Sequence, residues 1–109
     1  MGTAVNDTPI LDLIGEMTSA SLDATTLDGR TLVYVRIAAL VAVDAPPASY
    51  LLNLGAASKI GVGEDDVKAV LAAVAPIVGT ARVASAVGKI AEALGFAMEL
   101  AELEAEAGK

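Results

Sequence analysis

The sequence predicts an all-α protein, built as a compact bundle of five to six helices. Alanine is abundant, apolar residues recur mostly three or four positions apart, and no stretch alternates apolar and polar residues as a strand does. The chain has 109 residues, the usual length of one domain. We therefore take residues 1–109 as a single domain with one hydrophobic core.

The first helix is predicted to begin at Thr8, because a capping threonine followed by Pro9 is typical of a helix start. An apolar stripe at helical spacing follows. It consists of Ile10, Leu13, Ile14 and Met17. We expect this helix to break in residues 18–26, which are rich in serine, threonine and aspartate.

Asp28 is a good N-cap for a second helix that runs to about Asp44 and is apolar nearly all round, a pattern typical of a central helix. The prolines at residues 46–47 open a third helix, and Gly61 is expected to end it in a left-handed conformation.

Acids at residues 64–66 suit the first turn of a fourth helix, where the helix dipole favours them. Pro76 should kink or shorten the last turn of that helix. A fifth helix starts at Gly79 and Thr80, and Gly95 either caps it or lies within a helix that continues into the acidic residues 96–109.

The chain is more apolar than a small soluble domain usually is. Hydrophobic residues make up 55% of it and the mean hydropathy is +0.64. The longest uncharged stretches, residues 45–58 and 69–81, are shorter than a membrane-spanning helix requires. We therefore expect a cytoplasmic protein without membrane association, which hides its apolar excess against copies of itself.

Charge and composition exclude several functions. The net charge is −7, with −5 in residues 1–29, +1 in residues 30–94 and −3 in the remainder. A basic stripe is missing, so a nucleic-acid partner is not expected. The absence of cysteine and histidine excludes thiol and imidazole chemistry by the usual residues.

The short motifs do not predict a cofactor or a metal. The glycines at residues 61 and 63 lack the third glycine and the preceding strand of a dinucleotide-binding loop. Acids at residues 64–66 point in different directions on a helix, so they do not converge on one cation.

Two arginines need an explanation. Arg36 lies among apolar neighbours, so its guanidinium must reach a carboxylate, a helix end, water or a ligand. An ion pair with Asp44, Glu64 or Asp12 is the expected answer, and a ligand is the alternative. Arg82 lies near the start of a helix, where the dipole disfavours it, and also calls for an anionic partner.

Residues 27–95 resemble the carboxymuconolactone decarboxylase family, which includes the alkyl hydroperoxidase D-like proteins. The resemblance is carried by Gly61-x-x-Glu64, by Ala75-Pro76-Ile77-Val78-Gly79 and by Arg82. It implies a helical bundle that assembles into homotrimers or homohexamers.

The same resemblance implies that the family's reactive residues are replaced. Redox members carry Cys-x-x-Cys-x-x-x-His at the start of the third helix, with a glutamate twelve residues before it. Aligned from Gly61, the cysteines fall on Pro46 and Ser49, the histidine on Asn53 and the glutamate on Tyr34. Thiol peroxidase chemistry is excluded, because a peroxidase needs a thiolate.

Two functions therefore compete. The first is a non-catalytic homo-oligomer that binds a small polar or anionic molecule or serves in assembly. The second is a non-redox acid–base enzyme acting on a small carboxylated substrate. The candidate site residues are Tyr34, Arg36, Asp44, Pro46, Ser49, Tyr50 and Asn53. In the first case Tyr34 is expected to plug the site by a hydrogen bond to Asn53.

Overall fold

A computed structural model describes residues 7–107, except the side chains of residues 96–101, 104, 105 and 107. This part of the chain forms five helices and no strand, so the all-α prediction is confirmed and a sixth helix is not found there. The helices are α1 (Pro9–Ala24), α2 (Gly29–Ala42), α3 (Pro47–Lys59), α4 (Glu64–Val78) and α5 (Thr80–Ala107).

The predicted end signals of the inner helices act as expected. Asp28 caps α2, accepting a 2.8 Å hydrogen bond from the Thr31 amide. Gly61 has a φ of +79° after the end of α3, where a residue with a β-carbon would be strained. Pro76 lies in the last turn of α4, which ends two residues later at Val78.

Two boundaries differ from prediction. Helix α1 does not break at Thr18 but continues to Ala24, and Gly95 lies inside α5 rather than at its end. Serine, threonine and aspartate lower helix propensity only modestly, and neither glycine nor proline interrupts residues 18–24. A single glycine also costs less than the rest of a long helix supplies.

Helix α2 lies at the centre of the bundle and contacts α3, α4 and α5. One face of α2 supplies the middle of the core with Val33, Ile37 and Val41, which are buried. The residues that pack round this face include Tyr50 and Ala57 of α3, Val67, Val70 and Leu71 of α4, and Ala86, Ile90 and Ala93 of α5.

Helix α1 is different, because none of its 16 residues is buried. Its apolar stripe, Ile10, Leu13, Ile14 and Met17, has exposed fractions between 48% and 67%. Within the described residues, no helix combines the length and the apolar run needed to cross a bilayer.

Candidate functional site

Tyr34 of α2 is engaged with α4. Its hydroxyl donates a 2.7 Å hydrogen bond to Asp66 Oδ1 and accepts one of 3.0 Å from Arg30 Nη1, and Arg30 also pairs with Asp66 at 3.4 Å. The hydrogen bond from Tyr34, followed by that from the Gly63 amide, lowers the pKa of the Asp66 carboxyl. These three side chains fasten the start of α2 to the start of α4.

The predicted plug is therefore wrong in its partner. Tyr34 donates to Asp66 rather than to Asn53, and the Asn53 amide Nδ2 instead donates to the carbonyl oxygen of Ser49 at 2.9 Å. Sequence reasoning missed Asp66, because the acids at residues 64–66 also suit the first turn of α4.

Arg36 and Asn53 do share one surface, a shallow groove between α1, α2 and α3 with a volume of about 370 Å³. Arg36 is half-buried and donates to Ser21 Oγ of α1 at 3.0 Å. It forms no ion pair with any acid that the structure describes, so the expected pair with Asp44, Glu64 or Asp12 is wrong.

The remaining walls of this groove are mostly apolar. They are Ile14, Met17, Thr18 and Ser21 of α1 and Ala39 and Leu40 of α2. The lining residues include two hydroxyls, an amide and a guanidinium, but no carboxylate. Such a surface can hold an anionic group, whereas a general base is missing from this set.

Asp44 lies on a different side of the bundle, against α5. Its carboxylate accepts hydrogen bonds from Ser85 Oγ at 2.7 Å and from Lys89 Nζ at 2.9 Å. The Lys89 contact, followed by that of Ser85, lowers the pKa of the Asp44 carboxyl. Asp44 adopts a φ of +54°, a left-handed conformation that aspartate tolerates better than most residues.

The same cations cap the end of α2. Lys89 Nζ donates to the carbonyl oxygen of Asp44 at 3.1 Å, and Arg82 Nη1 donates to the carbonyl oxygen of Ala42. These carbonyls follow the last helical turn, where backbone oxygens lack partners within the helix and positive charge is stabilising. The predicted anionic partner of Arg82 is thus a carbonyl oxygen at a helix end.

Tyr50 is completely buried, and its hydroxyl has no hydrogen-bond partner among the described atoms. Burial, with a smaller contribution from the negative charge of Asp44, raises the pKa of the Tyr50 phenol. Pro46 is the exposed N-cap of α3, and Ser49 is half-buried in its first turn.

The seven candidate residues thus do not form one site. Only Arg36 and Asn53 line a common groove, while Tyr34 and Asp44 are held in separate polar clusters with α4 and α5. Among the described residues, no group of three or more acids is placed to hold a metal ion.

Comparisons with known proteins give no relative for this chain. No family model, no curated protein and no solved structure matches it. Function is therefore argued from the chain's own surfaces.

Proposed function

We propose that the protein is a non-catalytic homo-oligomer in which α1 supplies the main contact between copies. The observation that carries this proposal is the exposure of α1. A 16-residue amphipathic helix has no buried residue, and its apolar stripe is about half exposed or more. A helix with one apolar face gains most of its stability by packing that face against a partner.

Other apolar residues support the same proposal. Large hydrophobic side chains are also exposed on the remaining helices, including Val35, Leu52, Ile77 and Val87. Contiguous exposed apolar surface is uncommon on a monomer and marks an interaction surface. Burying about 800 Å² per partner would give an interface of standard size.

The trimer or hexamer implied by the family resemblance stays a prediction, as do the resemblance itself and a cytoplasmic location. The acid–base enzyme also stays a prediction. It gains no support from the groove of Arg36, because Asp44, the carboxylate it requires, is paired elsewhere.

Sedimentation velocity over a series of protein concentrations tests self-association. We expect masses that are multiples of the formula value of 10.9 kDa at micromolar concentration. A mass near one chain throughout the series would contradict the proposal.

A second function is favoured by Arg36. A half-buried guanidinium without an acidic partner, beside two hydroxyls and an amide, suits a small carboxylate or phosphate. We expect such an anion to raise the thermal midpoint of the parent but not that of Arg36→Gln. The control is Lys68→Gln, which removes an exposed cation outside the groove. Equal protection of all three proteins would indicate nonspecific binding.

A further inference from the structure

A second groove, larger than that of Arg36, lies between α3, α4 and α5 and has a volume of about 450 Å³. Its walls are mainly apolar, and its polar residues are Ser58, Glu64 and Lys68. The apolar lining comprises Leu54, Val62, Val67, Leu71, Val87, Ile90, Ala91 and Leu94. We call this surface the α3–α5 groove.

The apolar stripe of α1 matches this groove in length and volume. The stripe runs from Ile10 to Met17 and the groove runs along α5 from Val87 to Leu94, each about 10 Å or two helical turns. Removing a buried leucine side chain leaves a cavity on the order of 150 Å³, so the groove can take about three aliphatic side chains. Apolar residues at this spacing are typical of a helix that lies in a groove.

Charge selects the groove over a contact between two copies of α1. Residues 1–29 carry five acids and no base, so α1 beside another α1 would place like charges together. Residues 30–94 contain six of the seven bases, and Lys68 lies on the rim of the groove. Docking α1 on this part of the chain therefore pairs an acidic helix with the most basic region.

The area favours a reciprocal arrangement. A helix of 16 residues is about 24 Å long and 11 Å wide, so one docked face buries on the order of 400 Å² per partner. Two copies that exchange their α1 helices would bury about 800 Å² per partner, the standard size for a stable interface.

We propose that α1 of one copy lies in the α3–α5 groove of a second copy, and that the exchange is reciprocal. This rests on the proposed self-association and identifies the two surfaces that meet. The resulting dimer can serve as the unit of a larger assembly, a trimer of dimers included.

Complementation between two variants tests the proposal. The stripe variant carries Leu13→Asp and Met17→Asp, and the groove variant carries Val87→Asp and Leu94→Asp. The first pair lies on a helix without buried residues and the second pair is about half exposed, so both folds should persist. Each charge would have to enter an apolar contact, so we expect each variant's dissociation constant to rise by at least about 100-fold.

The mixture is the decisive sample. The stripe variant keeps a groove and the groove variant keeps a stripe, so a one-to-one mixture should form a heterodimer of about twice 10.9 kDa in native mass spectrometry. A mixture that stays monomeric, although the stripe variant has lost association, would overturn the proposal and indicate a contact between two stripes.

Matched controls separate docking from general loss of apolar surface. Leu11→Asp with Leu22→Asp alters α1 outside the stripe, and Val35→Asp with Leu52→Asp alters exposed residues outside the groove. Both controls should associate as the parent does. If the groove variant also associates as the parent does, self-association stands and the α3–α5 groove is not the docking surface. A monomeric parent would overturn both proposals.

Cross-linking gives an independent readout, since the chain has no cysteine of its own. Chains with Met17→Cys mixed with chains with Leu94→Cys should form mixed disulfides in excess over the two like pairs. If one chain carrying both substitutions cross-links to itself and remains a monomer, α1 lies in its own groove and the exchange is overturned.

Discussion

The C-terminal end of α2 and the whole of α1 differ in how their exposed groups find partners. At the end of α2, the Asp44 carboxylate and two backbone carbonyls all receive donors from α5 within the same chain. In α1, the apolar stripe stays about half exposed or more, and the Ser21–Arg36 hydrogen bond ties the helix to α2. The polar groups are therefore satisfied inside one copy, whereas the apolar groups of α1 are left for another.

Paired alanine substitutions give the largest expected effect. Ile37 is fully buried, so Ile37→Ala should lower the free energy of unfolding by about 2–5 kcal/mol. Ile14→Ala should change it by less than about 0.5 kcal/mol in the dissociated chain, because Ile14 is 48% exposed. Urea unfolding at a concentration too low for association measures both. Equal losses would show that α1 is packed within one copy.

Tyr50→Phe should give a smaller effect of the opposite sign. The buried hydroxyl of Tyr50 lacks a partner, so removing it should raise the free energy of unfolding by up to about 1 kcal/mol. Thermal and urea unfolding of parent and variant provide the measurement. A loss of stability instead would show that the hydroxyl is hydrogen-bonded in solution, by water or by a bound molecule.

Acid should release the polar contacts of the bundle. The pKa values of Asp28, Asp44 and Asp66 are lowered in the fold, by the Thr31 amide, by Lys89 and by Tyr34 respectively. The stability that these groups contribute is fully present above their unfolded pKa of about 3.9 and is lost as the pH falls through the lower folded values. We expect thermal midpoints to decrease below about pH 4.

Asp44→Asn isolates one part of that decrease, because asparagine also tolerates the left-handed conformation. The variant should be less stable than the parent at pH 7, and the difference should shrink at low pH. A difference that stays constant with pH would mean that the negative charge of Asp44 does not contribute.

Much of the fold could be predicted because its signals are local. Asp28 caps α2 through an amide three residues away, and the conformation of Gly61 depends on its missing β-carbon. The end of α1 was mispredicted because the serine and threonine content of residues 18–24 is only a weak signal against helix.

The candidate site could not be predicted in the same way, because its contacts join distant parts of the chain. Tyr34 and Asp66 are 32 residues apart, and Asp44 and Lys89 are 45 residues apart. Sequence spacing along one helix places Ser49 near Asn53, but it does not show which acid a tyrosine or a lysine will meet. Lys89 was accordingly interpreted as an ordinary mid-helix residue.

The cap on α2 also has a consequence for synthesis of the chain. The carbonyls of Ala42 and Asp44 receive Arg82 and Lys89 from the last helix, 40 and 45 residues later. A ribosome releases the N-terminal part first, so α2 emerges with its end uncapped while its partners are still being made. Nascent chains stopped before residue 82 should therefore lack a closed core, and the bundle should become protease-resistant only after most of α5 has been translated.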